Sequence, residues 1–95
     1  MDYLLCYDVN TTTTEGERRL RRVATASEAF GIRVQKSVFE CVLSPSDRLL
    51  LLDRLRTIID PAEDRVALYP LAGDSRQRAD RIGQRERDIR DPLVL

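Results

Sequence analysis

Tyr3-Leu4-Leu5-Cys6-Tyr7-Asp8-Val9-Asn10 is the stretch that decides the fold. Tyr3, Leu5, Tyr7 and Val9 fall on one side at period two, and Leu4 and Cys6 on the other, so both faces are apolar. A segment of this kind is a central strand with cover on both sides. Asp8 appears on the Leu4/Cys6 side, at the last position before the polar run Asn10 to Glu15. A carboxylate at a strand end beside a loop suits a metal or acid–base position. It equally suits a turn, because Asp bonds the backbone two residues on. The residues alone leave both readings open.

Downstream, the polar loop runs into a helix start, where Thr14 as N-cap with Glu17 three residues later fits a capping box and Gly16 weakens the first turn. The helix reaches about Phe30, with Leu20, Val23, Ala24, Ser27 and Phe30 on its inner face. Arg18, Arg19, Arg21 and Arg22 are expected exposed. Cations so near a helix start oppose the macrodipole, which suggests a use for them. The alternative is a solvated face paired with Glu15, Glu17 and Glu28.

Gly31 is read as a left-handed helix stop. The run Ile32 to Leu43 is rich in β-branched and aromatic residues and is interrupted at Gln35-Lys36-Ser37. It divides into two strands, about Arg33 to Lys36 and Val38 to Leu43, joined by a tight turn or bulge. Ser44 and Pro45 open a second helix as N-cap and first helical residue. Its apolar face is Leu51, Leu52, Leu55, Ile58 and Ile59. Asp60-Pro61 closes it, Ala62-Glu63-Asp64 is an acidic loop, and Arg65 to Leu71 is a fourth strand whose end Pro70 places on an edge.

Strand, helix, strand, strand, helix, strand is the α+β, ferredoxin-like split βαβ order, with both helices on one face of an antiparallel sheet. The other face of the first strand is also apolar, and the helices cannot reach it. A second copy can, so a two-fold homodimer stacked sheet to sheet is expected. Residues 1–71 form this domain, and residues 72–95 a charged tail. Leu93 to Leu95 are read either as a short added strand at 93–95 or as a frayed end.

Composition narrows the chemistry. The 95 residues make one small domain with a thin core. Sixteen basic residues balance 16 acidic ones, so no global field points to nucleic acid. Lys36 is the sole lysine and histidine is absent, which removes Ser-His and Cys-His nucleophile pairs and any His-ligated zinc site. Cys6 and Cys41 lack ligand spacing and read as buried core thiols. With no secretory pattern and no apolar run of spanning length, the expected setting is the cytoplasm, away from membranes.

Strand-Tyr7-Asp8, the Arg-rich helix ending Phe30-Gly31, the run Arg33-Val34-Gln35-Lys36-Ser37-Val38-Phe39-Glu40-Cys41, and Ile59-Asp60-Pro61 through Asp64-Arg65-Val66 to Tyr69-Pro70 carry a family pattern. Over residues 1–71 the chain resembles the small CRISPR-associated adaptation proteins, the second of the two universal spacer-acquisition components. That resemblance implies a ferredoxin-like homodimer in which Asp8 faces its symmetry mate and holds magnesium or another divalent cation. It implies endonuclease activity on RNA or DNA, with Asp8 and Ser37 as catalytic residues. It also implies partnership with the CRISPR integrase, with Arg18, Arg19, Arg21, Arg22 and Lys36 on nucleic-acid phosphates. A toxin-like messenger RNA interferase and a small-molecule-binding regulatory domain are the other readings of this fold.

Overall fold

The computed structural model describes residues 1–73 and 78–82. Its elements run β1 (Asp2–Asp8), α1 (Thr14–Glu28), β2 (Gly31–Gln35), β3 (Val38–Val42), α2 (Pro45–Ile58) and β4 (Arg65–Pro70). The sheet order is β2-β3-β1-β4 and every pairing is antiparallel. This is the ferredoxin-like arrangement expected from the element order.

β1 is central because it can be buried on both edges. It pairs with β3 from Asp2↔Val42 to Cys6↔Val38 and with β4 from Tyr3↔Pro70 to Asp8↔Arg65. Tyr3, Leu5, Tyr7 and Val9 point to one face and are buried there with Phe39, Cys41 and Leu43 of the β3 region. Val23 of α1 and Leu51 and Leu55 of α2 close over them, and Leu20, Phe30, Ile58 and Ile59 pack around the margin. Leu52 is only half-buried. Pro70, which has no amide to donate, ends an edge strand.

The opposite face carries Leu4, Cys6 and Asp8 from β1, Val38, Glu40 and Val42 from β3, and Arg65, Ala67 and Tyr69 from β4, as the registers require. Among the described residues no helix covers it, and Val42 keeps 66% and Tyr69 54% of its surface exposed. Cys6 is therefore half-buried, which corrects the expectation of two buried thiols; Cys41 alone is enclosed, and burial pushes its thiol up to about 11. Arg81 reaches this face and donates to both carboxylate oxygens of Glu40 at 2.9 and 3.2 Å. The strand expected at 93–95 lies outside the described residues.

Two glycines act differently from the sequence reading. Gly31 is not left-handed: among the described residues only Gly73 has a positive φ, at 57°. It begins β2 where a Cβ would sit 2.5 Å from Cys41 Sγ and 2.7 Å from the Glu40 carbonyl, so close strand approach is what it permits. The α1 cap is Thr13, one residue earlier than expected, with its Oγ1 accepting the Gly16 amide at 3.0 Å. Gly16 is buried against the β1–α1 loop, and a Cβ there would lie 2.0 Å from the Asn10 carbonyl oxygen. The shift places Gly16, and no larger residue, at that contact.

Gly16→Ala should consequently destabilise, even though Ala gains about 1 kcal/mol over Gly inside a helix. Forcing the loop away costs about 2 kcal/mol net, a fall in Tm of roughly 10 °C. Thermal unfolding checks this, and a rise in Tm would mean that the loop does not pack on α1.

Candidate functional site

Asp8 ends β1 with its side chain exposed. On one flank β4 sets Arg65 directly opposite it. On the other flank the Tyr7 amide donates to the Ser37 carbonyl at 3.1 Å, drawing the β2–β3 turn alongside. The turn itself is the two-residue loop Lys36-Ser37 between the paired Gln35 and Val38, and the β2–β3 register shifts just before it, between Arg33 and Gln35. Lys36 and Ser37 thus come to β1 through the fold, from far along the chain.

Two clefts meet at Asp8. On the helix side, a cavity of ≈ 540 Å³ is lined by Asp8, Thr11, Arg21, Arg33, Lys36 and Ser37, with Tyr7, Val9, Leu20 and Ala24 as its apolar floor. On the open side of the sheet, a cavity of ≈ 280 Å³ is lined by Asp8, Cys6, Arg65, Ala67 and Tyr69 among others. A lone carboxylate rimmed by cations on both sides suits a phosphate chain passing over the strand end. Arg33 is held in place: its guanidinium stacks 5.2 Å from the Phe39 ring centroid and pairs with Glu28 at 3.3 Å. Tyr7 packs on the same ring, centroids 6.0 Å apart, and donates its hydroxyl to the Lys36 carbonyl at 3.4 Å. Burial raises the Tyr7 pKa, with Arg33 partly opposing, so the phenol stays protonated at neutral pH.

The arginines of α1 do not act as one group. Arg18, Arg21 and Arg22 lie at positions i, i+3 and i+4 and line a groove of ≈ 590 Å³ with Thr25, Ala26 and Ile58 of α2. Arg21 belongs to this groove and to the Asp8 cleft. Arg19, expected exposed with the others, points elsewhere. Its Nε donates to Asp64 Oδ2 at 2.8 Å, and the pair leaves 17% of the Arg19 side chain and none of the Asp64 side chain exposed.

Asp64 is the residue that the sequence reading passed over. Its carboxylate also accepts the amides of Asn10 at 3.0 Å and Asp60 at 2.9 Å, so it joins the β1–α1 loop, the α2–β4 loop and α1. Burial pushes its pKa up, but the Arg19 guanidinium and the two amides outweigh burial and hold it below the usual carboxylate range. An acid just before a strand was the sequence signal; its partners lie 45 and 54 residues away and could not be read locally.

Among the described residues no cluster of three or more acidic, cysteine or histidine side chains could hold a metal. One chain offers Asp8 alone. Magnesium takes oxygen ligands and retains waters, and one or two carboxylates with a phosphate complete such a site. Nor is any helix of the described residues long and apolar enough to cross a membrane.

Comparison with known proteins settles the family. The family described as CRISPR associated protein Cas2 matches residues 1–79. The chain belongs to the Cas2 family. It is 44% identical to the CRISPR-associated endoribonuclease Cas2 3 of Rhodospirillum rubrum over 97% of this chain and 98% of that one. It is 37% identical to the CRISPR-associated endonuclease Cas2 of Halalkalibacterium halodurans, over 97% of each. Among solved structures it is similar to Streptococcus pyogenes Cas2, with TM-score 0.78 and 41% identity over 87% of this chain and 100% of that one. The ferredoxin-like fold and the CRISPR assignment read from residues 1–71 are therefore correct.

The Asp64 contacts set an acid limit on stability. A carboxylate whose folded pKa lies below its unfolded value, about 3.9 for Asp, contributes stability at higher pH. That contribution is lost as pH falls from there through the lowered folded value. Arg19→Gln should destabilise the fold at pH 7, because it leaves the enclosed Asp64 carboxylate without its cation. It should also flatten the fall in stability below pH ~4, because the pair is already broken. Urea unfolding from pH 7 to pH 3 checks both, and parallel curves for the two proteins would remove Arg19 as the cause.

Proposed function

We propose that this Cas2-family chain works in CRISPR adaptation as a cytoplasmic homodimer that binds nucleic acid, partners the CRISPR integrase, and hydrolyses phosphodiester bonds with magnesium at paired Asp8 carboxylates. The observation that carries the reading is the position of Asp8 at the junction of two clefts whose rims hold Arg21, Arg33 and Lys36 on one side and Arg65 on the other. The names borne by the Rhodospirillum and Halalkalibacterium relatives, endoribonuclease and endonuclease, support the same chemistry.

The uncovered sheet face supports the dimer. Leu4, Cys6, Val38, Val42, Ala67 and Tyr69 give it an apolar centre, and two such sheets pack face to face about 10 Å apart. Asp8 lies at the end of that face, so stacking two copies about an axis near Asp8 pairs the carboxylates.

In that pair the two Asp8 side chains would hold the metal. Magnesium, when bound, supplies a polarised water and neutralises charge on a phosphate oxygen. Arg65 and Lys36 flank Asp8 and would hold the scissile phosphate, and Arg33, fixed by Phe39 and Glu28, would hold a neighbouring one. Ser37 lines the same cleft, and its hydroxyl would hydrogen-bond a phosphate oxygen. No histidine is present to act as general base, and a modest rate is expected.

A second role needs no cleavage. The groove of Arg18, Arg21 and Arg22 does not include Asp8, and its cations can bind a phosphate backbone independently of sequence. Arg18, Arg21 and Arg22, with Lys36 of the neighbouring cleft, are therefore assigned to phosphates in the assembly with the integrase, while Arg19 is held by Asp64.

Labelled RNA and duplex DNA incubated with wild type and Asp8→Asn, each with magnesium or chelator, test the catalytic reading. Cleavage by wild type should vanish with the substitution and with chelator; cleavage that persists in Asp8→Asn would place the activity at another site. For the binding reading, the Arg18→Gln/Arg21→Gln/Arg22→Gln triple variant should reduce the slope of log affinity against log salt on duplex DNA by about 2 to 3. An unchanged slope would remove these arginines from the interface.

A further inference from the structure

The carboxylate of Asp8 has no hydrogen-bond partner among the described side chains, and it stands exposed at a strand end. The backbone is therefore what sets its place. Up to Asp8 the chain is held by the ladders of β1. Beyond it, a strand end would ordinarily fray into a loop. Here the amide and the side chain of the second residue along are hydrogen-bonded, and its carbonyl is packed. The Asn10 amide donates to Asp64 Oδ1 at 3.0 Å. The Asn10 carbonyl is packed against Gly16 with no space for a Cβ between them. The Asn10 side chain donates to Glu63 at 2.7 Å and accepts the Thr12 amide at 3.0 Å. Val9, between Asp8 and Asn10, is buried in the core.

Asp64 is the centre of this clamp. Its carboxylate is fixed by the Asp60 amide from its own loop and by Arg19 from α1, so the Asn10 amide meets an acceptor that cannot turn. Burying a charge for such a purpose is costly, and an apolar pair of similar volume would stabilise the fold as well or better. What an apolar pair cannot do is hold a backbone amide at a set place.

We infer that Asp64 is a positioning residue for Asp8: with Arg19 as its anchor, it fixes the backbone immediately after the strand end and so aims the Asp8 carboxylate. The inference rests on the reading of Asp8 as the metal-holding residue. Substitution of groups that orient a metal ligand typically lowers activity tenfold to hundredfold.

The test compares wild type, Asp64→Asn, Arg19→Gln and Leu55→Ala, the last a core truncation in α2 that loosens the protein without touching the clamp. Cleavage is measured at saturating magnesium and at a temperature where all four remain folded, with amide hydrogen exchange followed residue by residue. Asp64→Asn should lower kcat tenfold to hundredfold with KM changed less than about twofold, and should lose exchange protection over residues 8–12. Arg19→Gln should move both in the same direction by less, and it carries the test if Asp64→Asn does not fold. Leu55→Ala should leave kcat and the pattern over residues 8–12 unchanged. The inference is overturned if Asp64→Asn behaves like Leu55→Ala, or if residues 8–12 stay as protected as in wild type. Should wild type show no cleavage that depends on Asp8, the catalytic reading fails. The clamp is then judged on exchange alone, where protection lost over residues 8–12 supports it and protection retained refutes it.

Discussion

The two-sided pairing of β1 is the constraint on which the molecule depends. A strand bonded along both edges has no freedom in register, since a slip of one residue would turn Leu5 and Tyr7 out of the core and bring Leu4 and Asp8 into it. The fixed register determines what stands at the strand end. Arg65 is opposite Asp8 because Leu5 is opposite Leu68, and Ser37 is alongside because Cys6 is opposite Val38. The arrangement at the site is therefore a consequence of core packing several residues away.

The same strand explains why several loops converge at the Asp8 end of the sheet. Toward Asp2 the ladder continues past the strands, with Leu43 bonded to Met1 and Leu71 to Asp2, and the neighbours are largely apolar. Toward Asp8 the β2–β3 turn, the β1–α1 loop and the start of β4 converge, and each is polar because turns and caps require it. Lys36, Thr11 and Arg65 are brought to one place by topology, while each is unremarkable in its own stretch of chain.

Most of the fold was legible because its signals are local. The alternation in β1, the Ser44-Pro45 start of α2 and the break at Lys36-Ser37 each follow from a few neighbouring residues, and the element order then leaves few topologies. What failed to read locally was packing between distant segments. Gly31 and Gly16 look like a helix stop and a weak first turn, but their roles come from Cys41 and Asn10, against which they pack. Cys6 looked buried because its own face of β1 is apolar, yet among the described residues no helix reaches that face. Asp8 could be singled out as a candidate from its position. The division of the α1 arginines could not, because only the fold brings Asp64 to Arg19 and leaves Arg18, Arg21 and Arg22 on a groove of their own.

That division also answers the electrostatic puzzle of cations near the start of α1. Glu15 and Glu17 occupy the first turn and oppose the penalty there. Arg19 is drawn inward by a carboxylate that burial leaves poorly solvated, so its charge is neutralised within the fold and not by solvent. What remains exposed is a row of three guanidinium groups at helical spacing over an apolar groove. Glu15 and Glu17 stand one turn before Arg18 and Arg21, but among the described residues the groove itself is lined by arginines and no acid. Around α1 the balanced net charge thus conceals a local separation, in which Asp64 locks two loops while Arg18, Arg21 and Arg22 are left exposed.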